Sequence, residues 1–166
     1  MSTSTLPSSS TAANVQPIPA GFHTVTPHLV CGGASDAIAF YTKAFGAVEV
    51  GRVTAPDGKV LNAQIRIGDS MLMLMDEIPD CGALGAKSLK GSPVTIHLYV
   101  KDAVKFAHSA EKAGATVTMP VQEMFWGDLY GVLQDPFGHS WAVATHVRDV
   151  SHVEAQKAAA TACCGA

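Results

Sequence analysis

The chain reads as one unit written twice. Thr26-Pro27-His28-Leu29 leads into a Gly32-Gly33 break and then a helix-like segment that closes at Phe45-Gly46-Ala47. Roughly seventy residues later, Thr95-Ile96-His97-Leu98 leads through Asp102 into a helix-like segment closing at Ala113-Gly114-Ala115, a spacing outside the period of the short solenoid repeats. Gly68 and Gly138 fall in matching turns, and Gln64 and Gln134 in the strands before them. Such a repeat restricts the fold to two related modules. It places equivalent strand positions opposite each other, so function is read from what projects into the cleft they share.

Composition removes several classes of function. The 166 residues suit one compact domain or two small fused modules, and 48% hydrophobic content is enough for a substantial core. The net charge is −3 with no basic run, which argues against a nucleic-acid partner, because phosphate neutralisation needs clustered Lys and Arg. The longest apolar run, Met71 to Met75, is far too short to cross a bilayer. The N-terminal stretch lacks a basic region followed by an apolar core, and Cys31, Cys81, Cys163 and Cys164 form neither a CxxC pair nor a disulfide framework. The expected location is therefore the reducing cytoplasm. The vicinal Cys163-Cys164 pair lies in a small-residue tail, a poor setting for a pre-organised site.

Residues 1–20 are rich in Ser, Thr and Pro without apolar periodicity and read as a disordered leader. A single domain is expected over 21–150, made of modules at about 22–76 and 93–149, with a flexible tail over 151–166 that Ala propensity inclines toward a frayed helix. In the first module, the pattern predicts a strand over Thr24 to Cys31, then a helix capped by Ser35 or Asp36 with Ile38, Tyr41 and Phe45 on one face. Strands follow at Val48 to Val53, Val60 to Ile67 and Met71 to Met75, with an Asp57-Gly58 hairpin turn. The second module predicts a strand at Thr95 to Val100 and a helix capped near Asp102. A short strand follows at Thr116 to Met119, then a loop from Pro120 to Asp128, and strands at Tyr130 to Gln134 and Ser140 to His146.

The segment Ala37-Ile38-Ala39-Phe40-Tyr41-Thr42-Lys43-Ala44-Phe45-Gly46-Ala47 and the turn Asp135-Pro136-Phe137-Gly138-His139 resemble the vicinal-oxygen-chelate superfamily. That superfamily spans glyoxalase I, bleomycin- and fosfomycin-resistance proteins and extradiol dioxygenases. Thr26-Pro27-His28-Leu29, Ile67-Gly68-Asp69-Ser70, Thr95 to Val100 and Phe125-Trp126-Gly127-Asp128 are most similar to its PhnB-like branch. The resemblance implies an α+β fold of two βαβββ modules whose curved sheets surround a shared cleft. It also implies, for enzymatic members, one divalent metal held by His, Gln or Glu from the first and last strands of each module. Here the corresponding positions are Thr26, Thr95, Leu72 and Ala142, none of them a usual ligand, so no cofactor is expected.

His28 and His97 follow the two threonines by two residues and project to the same faces. They are the candidate catalytic residues, one imidazole serving as general acid or base. Strand parity predicts a lining that includes Asn62, Gln64, Arg66, Leu72, Leu74, Tyr99, Tyr130 and Gln134, and assigns Met71, Met73 and Met75 to the helix side. Phe125 and Trp126 add a lid or stacking wall. Asn62, Gln64, Arg66, Tyr99, Phe125, Trp126, Tyr130 and Gln134 are thus the candidate ligand-binding residues. No GxSxG elbow, Walker loop or GxGxxG turn is present, and nothing near Cys31 predicts a lowered thiol pKa. The function expected is the binding of a small organic molecule without the usual divalent metal. The alternatives are a metal-dependent lyase, isomerase or dioxygenase with a rearranged His28/His97 site, and a dimeric interaction module without substrate. Homodimerisation fits all three, and no membrane or nucleic-acid partner is expected.

Overall fold

A computed structural model describes residues 15–162. The leader expected over 1–20 lies mostly outside the described residues, and so does the Cys163-Cys164 pair. The first module comprises β1 (His28–Cys31), α1 (Ala34–Phe45), β2 (Val48–Thr54), β3 (Val60–Ile67) and β4 (Ser70–Asp76). The second comprises β5 (Thr95–Tyr99), α2 (Ala103–Ala113), β6 (Thr116–Glu123), β7 (Asp128–Gln134) and β8 (Ser140–His146). A terminal helix, α3 (His152–Ala162), follows. The sheet orders are β1-β4-β3-β2 and β5-β8-β7-β6, the same topology in both modules. Each first strand pairs in parallel with the last strand of its own module.

The repetition extends to single hydrogen bonds. His28 lies opposite Met73 and His97 opposite Ala142, which fixes the correspondence of the two modules. Counting forward from those pairs, the first residue of α1, Ala34, matches Ala103 of α2, and Asp76 matches Thr145. The Ala34 N–H donates to Asp76 Oδ1 at 2.6 Å, and the Ala103 N–H donates to Thr145 Oγ1 at 2.8 Å. In both modules, then, the end of the last strand satisfies an otherwise unpaired amide at the start of the helix.

Local chemistry set one helix start and not the other. Asp102 caps α2 as expected, its carboxylate accepting from Lys105 N–H at 3.0 Å. Neither Ser35 nor Asp36 caps α1. The helix begins at Ala34, two residues earlier than a Ser35 cap would start it, behind Gly33, and Asp76 accepts from both Gly33 and Ala34. The same carboxylate takes Val60 N–H at 2.7 Å, so one side chain fastens the helix to the start of β3.

One hydrophobic core joins the modules. Tyr41 of α1 lies 5.2 Å from Trp141 of β8 between ring centroids, and Phe45 stacks on Phe106 of α2 at 5.4 Å. Trp141 is fully buried on the helix-covered face, as parity required. Buried Asp135 is the polar centre of this seam. It accepts from Tyr41 Oη at 2.6 Å, from Trp141 Nε1 at 2.8 Å, and from the Phe137 and His139 amides. Burial and the Asp135 charge raise the Tyr41 pKa, which keeps the phenol protonated as the donor.

Three expectations about the strands are corrected. β1 begins at His28 rather than Thr24, so Thr26 precedes the strand. β6 does not stop at Met119; it runs through Pro120 to Glu123, with register shifts between Val117 and Met119 and between Met119 and Gln122. Those irregularities accommodate the proline, and they press the strand against Gly131, where a Cβ would meet Met119 O and Val121 N at 3.0 Å. The faces of β4 are also reversed. Leu72 and Leu74 pair with Ile65 and Ala63 and are buried toward the helices, whereas Met73 pairs with Gln64 and shares the opposite face with His28. The two β-turns differ in length: Ile67 pairs directly with Ser70, whereas Gln134 pairs with Ser140 across a five-residue loop. Counting from the glycines therefore inverts β4 but not β8.

Candidate functional site

The face of the second sheet turned away from the helices carries the densest group of polar and aromatic side chains. Strand pairing builds it in rows. Thr95, Ser140 and Gln134 form one row; His97, Ala142 and Val132 the next; then Tyr99, Ala144 and Tyr130; and finally His146 and Asp128. Ala142 and Ala144 are buried between taller neighbours, so they make a low floor flanked by rings. His97 lies 4.6 Å from Tyr99 and 5.8 Å from Tyr130, and Trp126 packs edge-on to Tyr130 at 5.6 Å. Phe125 continues the series, 4.9 Å from Trp126. The structure thus brings His97, Tyr99, Tyr130, Trp126 and Phe125 together as one aromatic ladder.

At one end of the ladder sits Asp128, expected from its place after Gly127 to serve a turn but found at the start of β7 opposite His146. Asp128 is only 3% exposed. Its Oδ2 accepts from Tyr99 Oη at 3.1 Å, and its Oδ1 lies 2.7 Å from His146 Nδ1. His146 Nε2 points outward to Asp149 Oδ1 at 3.1 Å. Hydrogen bonding to Asp128, and then to Asp149, raises the His146 pKa, and the bond to Asp128 raises that of Tyr99. The signal was available: once Gln134 is closed onto Ser140, antiparallel pairing puts Asp128 opposite His146.

A hollow of about 750 Å³ opens between the modules beside this face. One wall is the start of the first module, His23, Thr26 and Pro27, together with the β3–β4 turn from Ile67 to Leu72. The other is the edge strand from Ile96 to Lys101, with Phe45 and Phe106 at the base. His97 and Tyr99 line this hollow and also belong to the ladder. A smaller hollow of about 380 Å³ runs beside β1, bounded by His28, Leu89, Pro93 and His139. The two candidate histidines therefore border different hollows.

Residues 21–143 match the Glyoxalase/Bleomycin resistance protein/Dioxygenase superfamily. The chain belongs to that superfamily. It is 47% identical over 150 residues to an uncharacterized protein of Mycobacterium tuberculosis (strain H37Rv), an alignment covering 89% of this chain and 85% of the relative. Among solved structures it is similar to a gene product of Arabidopsis thaliana, with a TM-score of 0.59 and 29% identity over 74% of this chain and 98% of the other. The fold is also shared by a PhnB protein from Bacillus cereus, with a TM-score of 0.58 and 17% identity over 74% and 99% of the two chains.

The metal that catalytic members of the superfamily imply does not fit the side chains present. Thr26 Oγ1 is engaged with His23 O at 3.2 Å, and Thr95 Oγ1 with Ser140 Oγ at 3.1 Å. The strand positions beside His28 and His97 are Met73 and Ala142. A thioether is a soft donor suited to Cu(I), and a methyl group is no donor at all. Among the described residues, no three His, Cys, Asp or Glu side chains gather closely enough to hold an ion.

On the first sheet, His28, Met73 and Gln64 share one row, with Asn62 and Arg66 on the same face of β3. Arg66 is occupied locally, donating to Gly68 O at 2.8 Å. Gln134 is exposed at the far end of the second sheet, in the row of Ser140. Cys31 does meet an imidazole, His139 Nε2, at 3.6 Å, but it is sealed from solvent. Burial, and secondarily the Asp135 charge, push its thiol pKa up to about 12, so it remains protonated and serves as a packing group.

Proposed function

We propose that this protein binds a small organic molecule in the hollow between its modules, holding it by shape, ring contact and hydrogen bonds rather than through a divalent metal. The observation that carries this reading is the hollow of about 750 Å³, whose rim residues His97 and Tyr99 are also rungs of the aromatic ladder. Pockets for small ligands measure roughly 300–1,000 Å³ and combine apolar walls with a few polar groups. Ile67, Met71, Ile96, Leu98 and Phe106 supply the first; His97, Tyr99 and Lys101 supply the second. A planar molecule in the hollow would meet His97 and Tyr99 at its rim and, reaching past them onto the ladder face, Tyr130, Trp126 and Phe125, which lie outside the hollow itself. If a proton is transferred there, His97 is the group placed to move it. His28, Gln64 and Asn62 would serve the same ligand only where a second copy of the chain brings its own first sheet against this face. We propose the cytoplasm as the setting of this activity.

The test is a thermal-shift and calorimetric screen of planar aromatic compounds, run before and after exhaustive chelation. Binders should raise the melting temperature equally in both preparations, and His97→Ala should weaken them roughly tenfold, the loss expected for one good polar contact. Binding abolished by chelation, or a screen in which no compound shifts the melting point, would overturn the proposal.

A further inference from the structure

The cluster of Tyr99, Asp128 and His146 is more elaborate than a surface ion pair. Asp128 is buried and has both oxygens committed, one to Tyr99 and one to His146. The Asp128 contact leaves Nδ1 facing inward and Nε2 facing out. The partner of Nε2 is Asp149, whose side chain is fully exposed beyond the end of β8. An exposed carboxylate of that kind is weakly held, because water and salt compete with it. It occupies the place where an acidic group approaching from outside would bind. The Tyr99 hydroxyl, tied to the same Asp128, fixes its ring beside His97, which in turn lies beside Tyr130.

We infer that His146 anchors an acidic group of the bound molecule, a carboxylate carried on an aromatic body that stacks along Tyr99, Tyr130 and Trp126, with Asp149 holding the position until it is displaced. This rests on the ligand-binding reading above and narrows its substrate class to aromatic acids. Asp128 acts here as a positioning residue: it sets the orientation of the imidazole and balances its charge, and it does not touch the ligand. A cation held by one buried carboxylate can accept a second, exposed anion in a charge-assisted hydrogen bond without leaving any charge buried and unpaired.

The experiment compares 2-naphthoate with its neutral analogue 2-naphthamide on the full chain at pH 6, by isothermal titration and by NMR of the histidine ring protons. Naphthoate should bind roughly tenfold more tightly than naphthamide, the margin of one charged hydrogen bond, and should shift the His146 ring signals. His146→Gln should remove that margin, so that the variant no longer distinguishes naphthoate from naphthamide. Asp149→Asn, which leaves the Asp128 pair intact, should tighten naphthoate. Equal binding of the two probes to the wild-type chain overturns the anchor and leaves the pocket standing, as does an Asp149→Asn variant that binds naphthoate no better. Failure of both probes to bind overturns the pocket and the anchor together.

Discussion

Two carboxylates on this chain show how burial decides what an acid does. Asp135 and Asp128 are almost equally buried, but Asp135 faces the seam between modules and Asp128 the outer face of the second sheet. Asp135 has four donors, so it is satisfied and structural. Tyr41→Phe removes one of the four from a sealed site. It should cost about 1–2 kcal/mol, read from urea unfolding, with the fold preserved because three donors remain. Asp128 instead shares its charge with a half-exposed imidazole, and that makes part of the stability depend on pH. The folded state raises the His146 pKa above its ordinary 6.5, so protonation favours folding. The stabilisation is fully present below 6.5 and disappears as pH rises through the folded value. The melting temperature of the wild type should therefore exceed that of His146→Gln at pH 6, and the gap should close by pH 9. A gap independent of pH would mean that the imidazole contributes by packing alone.

At the scale of strands and helices, the stringent positions are places where two elements are fastened by a single group. Asp76 takes three backbone amides from the start of α1 and the start of β3. Asp76→Ala should destabilise by about 2 kcal/mol, more than an ordinary cap, because no water-filled alternative serves all three at once. Gly127 is tighter still. Its φ is +101°, its carbonyl accepts from Val147 and Arg148, and a Cβ would fall 2.0 Å from Arg148 O. Gly127→Ala should therefore cost about 3 kcal/mol or more and displace the Trp126 wall with it, visible as a loss of thermal stability and a changed tryptophan spectrum. These fastenings also mark where the sequence stopped being legible. The alternation of β3 and the Asp102 cap of α2 are local signals, and both elements formed as read. The cap of α1 comes from Asp76, 42 residues beyond Ala34, and no local pattern announces it. The faces of β4 depended on a turn length that Gly68-Asp69 and the longer Asp135–Gly138 turn disguise when aligned by their glycines. That His97, Tyr99 and Tyr130 share one face was readable from strand parity, because β5 and β7 alternate cleanly, whereas Trp126 and Phe125 precede β7 and follow no such pattern. The Asp128–His146 pair needed one further step, because it emerges only when β7 and β8 are laid side by side from the Gln134–Ser140 pair.

Across the whole molecule, duplication created two modules that are not independent. Each has its own sheet, and no backbone ladder joins them. What joins them is side-chain burial: α1 rings against Trp141 and Phe106, and Tyr41 donating into Asp135. Separating the halves would expose those rings and leave Asp135 without its strongest neutral donor. A half of this size buries too small a fraction of its surface to compensate. A fragment spanning residues 21–92 should therefore lack a dispersed amide NMR spectrum, although it contains every strand of the first sheet. For the same reason the full chain should unfold in one step, with far-UV circular dichroism and Trp141 fluorescence, the latter followed in a Trp126→Phe variant, giving the same urea midpoint. The hollow between the modules depends on that coupling. Its walls come from the β3–β4 turn on one side and β5 on the other, so a ligand that bridges them adds to the forces holding the halves together. Separate midpoints for the two probes would mean that the modules are held independently, and that the hollow between them is no better defined than a hinge.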